Sequence, residues 1–161
     1  MPRALLLLLC ALPAASQKTH EICAPCHSGQ VAEFQTHPHF AKDLSCDACH
    51  GPSVNHRTST GAAAPDRVAA PEEVPALCGG CHPGEGQAFA ASKHAAALMR
   101  RARPRAPSCG TCHGVHEARA AATIERACGR CHLELSALHS GKMAARCLGC
   151  HARHTLAAAK P

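Results

Sequence analysis

The chain has 161 residues, with 13 Cys and 14 His but only three Phe and no Tyr or Trp. So few aromatics exclude an ordinary aromatic-filled core and argue against base stacking on nucleic acid. The formal charge of +6 would suggest an anionic partner, but the cysteines change that reading.

Residues 1–16 hold one basic residue, Arg3, then an apolar run from Ala4 to Ala11, Pro13 and small residues. This pattern predicts a secretory signal peptide cleaved after Ser16. Cleavage removes Cys10, the one cysteine outside the motifs described next. A lipoprotein reading of Cys10 is weaker, because bulky Leu9 stands where a small residue is wanted. No other stretch approaches the roughly 18 apolar residues that span a bilayer, so no transmembrane anchor is expected.

From residue 20 the chain repeats itself. The first module, 20–57, holds Cys23-Ala-Pro-Cys26-His27 and Cys46-Asp-Ala-Cys49-His50. A linker at 57–76 carries Pro65, Pro71, Pro75 and the run Gly61-Ala62-Ala63-Ala64. The second module, 77–117, holds Cys78-Gly-Gly-Cys81-His82 and Cys109-Gly-Thr-Cys112-His113. The third, 125–155, holds Cys128-Gly-Arg-Cys131-His132 and Cys147-Leu-Gly-Cys150-His151. Ala content predicts a helix over 87–103, ended by Pro104, and another over 117–131. The expected fold is mostly α, with short helices, long loops and essentially no sheet.

Cys-x-x-Cys-His is the attachment signal of c-type haem. Two thioethers hold the porphyrin, and the adjacent imidazole (His27, His50, His82, His113, His132 or His151) is the proximal iron ligand. A disulfide framework suits an exported chain but has no use for a His after every second Cys. Structural zinc needs four converging donors, not an adjacent His. Six covalent haems are therefore expected. They would fill the interior of one continuous domain of stacked modules, and the apoprotein should be largely unfolded. Their propionates also alter the charge: without Arg3 the chain is +5, and the holoprotein could reach about −7. Arg100, Arg101, Arg103 and Arg105 then read as a solvated loop or propionate clamp before a docking patch.

Eight histidines lie outside the motifs. Six irons with two imidazoles each need six of them. His39 and His94 each fall five residues after a Phe and twelve after a motif His, which favours His39 over His37. His139 fills the comparable slot of the third module, while His56, His116 and His154 trail the second motif of each. These six are the distal candidates. His20 and His37 lie outside the repeat and read as surface residues. Met99 and Met143 could offer sulfur, but neither recurs, so packing is expected of both.

The segments Cys46–His56, Cys109–His116 and Cys147–His154 resemble the doubled-CxxCH periplasmic multihaem cytochromes. That group includes decahaem subunits of extracellular respiration, the NapC/NirT type and class III cytochromes. The resemblance implies bis-His haems and periplasmic electron transfer in a respiratory chain. It implies other redox proteins as partners, whether periplasmic or membrane-associated cytochromes or reductases. The chain departs from the decahaem members in motif number and from the NapC/NirT type in lacking an anchor. The main alternative is a small reductase of nitrite, hydroxylamine or a sulfur oxyanion at one five-coordinate haem. A storage or sensing protein is a third reading. The surplus of His favours the electron carrier over both.

Overall fold

A computed structural model describes residues 19–100, 106–132 and 147–158. The predicted leader, His139, Met143, Arg101, Arg103 and Arg105 lie outside the described residues.

Short helices and turns carry nearly everything. In the first module these are α1 (Thr19–Cys23), α2 (Ser28–Gln35), α3 (Cys46–His50) and α4 (Val54–Thr58). The second has α5 (Val74–Gly79), α6 (Pro83–Ala90), α7 (Lys93–Met99) and α8 (Cys109–His113). The third has α9 (Ala121–Ala127) and α10 (Cys147–Cys150). Single 3-10 turns cover Phe40–Lys42 and Cys128–Arg130. Among the described residues the only β pairing is an isolated antiparallel bridge between His151 and Ala158.

Two local patterns recur along the chain. His27 and His82 each serve as the N-cap of the eight-residue helix that follows, α2 and α6. Pro83 opens α6 at a position where a missing N–H costs nothing. The second motifs of the first two modules share another pattern. Ser45 and Ser108 stand extended before α3 and α8, and Gly51 (φ 72°) and Gly114 (φ 78°) turn the chain out afterwards. A Cβ on Gly114 would collide with the Glu117 carbonyl oxygen, so both the dihedral and the close approach require glycine there.

Two predicted helices are shorter than expected. The 87–103 run breaks at Ala91–Ser92, separating α6 from α7. Ser92 is extended and its side chain accepts the Ala95 N–H at 3.0 Å, so a strong N-cap overrides the local Ala propensity. The 117–131 run is helical only over Ala121–Ala127, followed by the 3-10 turn. Upstream, the Arg119 N–H donates to the His113 carbonyl at 2.9 Å and Ala120 is extended, which holds the chain out of a helix until α9.

The polypeptide's own core is small. Among the described residues the buried hydrophobics are Val31, Phe89, Ala95 and Leu98, and the last three pack together with Ala106 against them. At about 2 kcal/mol per buried large side chain, this cluster cannot hold the whole chain against its conformational entropy.

Candidate haem sites

Each described motif closes a single helical turn. The N–H groups of His27, His82, His132 and His151 donate to the carbonyls of Cys23, Cys78, Cys128 and Cys147 at 2.8–3.0 Å. An i to i+4 bond brings the first Cys and the His onto one face. His50 and His113 end α3 and α8, which span their motifs from the first Cys. None of the twelve motif cysteines is in a disulfide.

Among the described residues, five motif imidazoles each face a second imidazole. The pairs are His27 with His56 (6.0 Å between ring centroids, 27° between planes) and His50 with His116 (6.2 Å, 39°). His82 faces His39 (5.9 Å, 26°), His132 faces His94 (5.8 Å, 28°), and His113 faces His154 (5.9 Å, 26°). An imidazole nitrogen binds a transition metal at about 2 Å, and the ring centroid lies about 1 Å behind it, so two rings flanking one iron have centroids about 6 Å apart. The observed separations fit an iron between the rings. By contrast, no three His, Cys, Asp or Glu side chains among the described residues converge on a point that could hold a metal ion. Among the described residues the imidazoles meet in twos, the arrangement that two nitrogen ligands on one haem iron would need.

Hydrogen bonds fix which ring nitrogen is free. Nδ1–H of His50 donates to the Arg67 carbonyl (3.0 Å), that of His56 to the Ala63 carbonyl (2.7 Å), and that of His151 to the Leu156 carbonyl (3.1 Å). A carbonyl can only accept, so the proton sits on Nδ1 and Nε2 keeps its lone pair for a metal. His37 is the opposite case: its Nδ1 accepts the His39 N–H at 3.1 Å. Its ring stacks on Phe34 and leans against His39 at 4.6 Å, while His39, not His37, faces His82.

His20 is not the surface residue expected from the sequence. It is buried, its ring meets the edge of Phe40 at 5.0 Å, and its backbone N–H donates to Ser45 Oγ at 2.9 Å. Its Nδ1 is 3.4 Å from the same hydroxyl. These contacts seat α1 on α3, so the lone histidine joins the first two motifs. Nothing in its spacing revealed this, because Ser45 lies 25 residues away. Met99 is exposed.

Arginines reinforce two motifs. Arg67 donates to the carbonyls of Cys49 (2.6 Å) and Ala48 (3.3 Å), and Arg119 donates to the Thr111 carbonyl. Both meet carbonyls that a short helix leaves unpaired at its C-terminal end.

Consecutive motifs touch through their thiols. Cys46 neighbours Cys23, Cys78 neighbours Cys109 and Cys128 neighbours Cys147. Burial first, and then these neighbouring thiols, push Cys46, Cys78 and Cys128 above the ordinary thiol pKa. Burial also raises Cys49 and Cys112, although Arg67 and Arg119 pull the other way. For the imidazoles, burial is the main cause that lowers His37, His94 and His113, with a neighbouring His adding to it. A lowered pKa favours the neutral ring, which is the form that ligates iron.

The cytochrome c3 family model matches residues 37–133. The chain belongs to the cytochrome c3 family. Such cytochromes are multihaem electron-transfer proteins that bind c-type haem through CxxCH, as the paired imidazoles and adjacent cysteines suit this one to do. No curated protein and no solved structure matches the chain. No helix among the described residues of the cytochrome is long and apolar enough to cross a membrane.

Proposed function

We propose that this cytochrome is an exported hexahaem electron carrier with two imidazoles on every iron, working between redox partners of a respiratory chain. The observation that carries the reading is the set of five facing imidazole pairs. His27, His50, His82, His113 and His132 are the proximal ligands of these pairs, and His56, His116, His39, His154 and His94 the distal ones. His151 is the proximal ligand of the sixth haem, with His139 proposed opposite. The twelve motif cysteines, Cys23 to Cys150, form the thioethers. Bound haem supplies a one-electron iron couple. With haem bound, the paired imidazoles would both ligate the iron, the Nδ1–H bonds of His50, His56 and His151 would set ring orientation, and no position would stay open for a substrate. Outer-sphere exchange with other cytochromes or reductases, periplasmic or membrane-associated, follows from that closure. Export to the periplasm is supported by the signal pattern of residues 1–16.

Intact mass and spin-state counting test the proposal. The holoprotein should carry six haems, about 616 Da each by the cofactor's formula, and all six should be low-spin. A stoichiometric high-spin haem that binds nitrite would replace the carrier by a reductase.

A further inference from the structure

Two arginines reach the same place on two different motifs. Arg67 Nη2 donates to the carbonyl of Ala48 (3.3 Å), and Arg119 Nη1 donates to that of Thr111. Ala48 and Thr111 are each the third residue of a second motif, Cys46–His50 and Cys109–His113. Arg67 Nε also donates to the Cys49 carbonyl at 2.6 Å. The two side chains start from unrelated positions: Arg67 follows its motif His by seventeen residues and Arg119 by six.

We infer that Arg67 and Arg119 are redox-tuning residues: each fixes a positive charge against the second motif of its module and raises the reduction potential of the haem bound there. The inference rests on the electron-carrier reading proposed above. It goes further by naming the groups that set two of the carrier's potentials.

Reduction takes one electron from a redox partner and turns ferric iron to ferrous, so the site loses one unit of positive charge. A neighbouring cation therefore favours the reduced form. Guanidinium stays protonated throughout, so its charge is constant and it exchanges no proton when the iron changes state. Lysine supplies the same charge but not the flat fork that meets the Ala48 and Cys49 carbonyls together.

Backbone bonds hold each arginine beside its motif. The Arg67 carbonyl accepts Nδ1–H of His50 at 3.0 Å. Just before it, Ser53 N–H donates to Asp66 Oδ2 (2.8 Å), Asp66 N–H donates to Ser53 Oγ (3.1 Å), and Ser53 Oγ–H donates to the His50 carbonyl (3.0 Å). The Arg119 N–H donates to the His113 carbonyl at 2.9 Å. A substitution that removes the guanidinium keeps every one of these groups, so charge and ring orientation are separable. Asp47 and Asp66 bring opposing charge to the second motif. They shift its starting potential but remain when Arg67 is replaced, so the difference between variants reports the guanidinium. Arg67 is exposed and Arg119 half-buried, so solvent and salt screen Arg67 more.

The test is a potentiometric titration of the full-length holoprotein followed by optical and magnetic circular dichroism spectra. H116A should open the iron of His50, and its high-spin band then reads that haem alone. Adding R67Q should lower its reduction equilibrium constant about threefold to tenfold, which is about 30–60 mV for one electron. R67K should keep most of the potential, because the charge stays. In an H154A background, R119Q should lower the potential of the opened iron of His113 by more, with less sensitivity to salt. If H116A yields no high-spin haem, the paired-ligand reading fails, and R67Q in the otherwise unaltered protein should still lower one potential. If R67Q does not accumulate as holoprotein, R119Q carries the same expectation. Unchanged potentials in R67Q and R119Q would overturn the tuning and leave the carrier standing. An equal fall in R67K and R67Q would also overturn it, since the lost fork and not the lost charge would then be the cause.

Discussion

His94 and His132 face each other across 5.8 Å although they belong to different modules. His94 sits near the start of α7, held by the Ser92 cap, and His132 follows the 3-10 turn of the fifth motif. The pair predicts that H94A opens one iron. One haem in six should become high-spin and bind carbon monoxide, with the spectrum of the other five unchanged. Magnetic circular dichroism of the oxidised and reduced protein reads this directly.

His20 and His37 should behave differently from the facing set. Replacing either by Ala should leave all haems low-spin. H20A should still lower the melting temperature, because it removes a buried ring from the seam between α1 and α3. A loss of about 1–2 kcal/mol is expected for such a contact. Appearance of a high-spin haem in H20A would make that residue a ligand.

Gly114→Ala should destabilise more than a surface substitution. The residue needs φ 78°, and a methyl group would strike the Glu117 carbonyl. The expected cost is at least about 1 kcal/mol, measured by thermal unfolding, with loss of the Arg119–His113 turn that follows the fourth motif.

Acid should remove ligands selectively. Burial holds His94 and His113 below the imidazole value of 6.5, so the fold favours their neutral form. The unfolded chain then binds more protons in the window below 6.5. Stability from these residues is complete above that value and lost as pH falls through their lower folded values. In an acid titration followed by optical spectroscopy, the irons of His113 and His132 should not be the first to turn high-spin. Early loss there would show that burial does not protect these rings.

The sequence made some of this legible and hid the rest. The motifs are local, so Cys78 to His82 declares its chemistry within five residues. The mostly helical, sheet-poor fold follows from the Ala-rich composition and motif spacing. The preference for His39 over His37 came from alignment of the Phe34 and Phe89 segments, and in the structure His39 is the ring that faces His82. What spacing could not show is which rings meet. His50 and His116 come together through folding of the linker and α5 to α8, a tertiary event that leaves no periodic trace. The break at Ser92 is hidden for a similar reason: Ala content predicts one helix over 87–103, but one hydrogen bond decides the break in the structure. His20 was missed because its partner is a serine distant in the chain.

The ring pairs also overlap along the chain. The pair His27–His56 encloses His39 and His50, whose partners lie beyond it. His50–His116 in turn encloses His94 and His113, whose partners are His132 and His154. Every peptide bond from His27 to His154 is therefore spanned by at least one pair. With iron in the pairs, a protease that nicks the chain anywhere in that stretch should not release a fragment. The cut halves should travel as one particle on a native gel and separate only when acid or denaturant strips the imidazoles from iron.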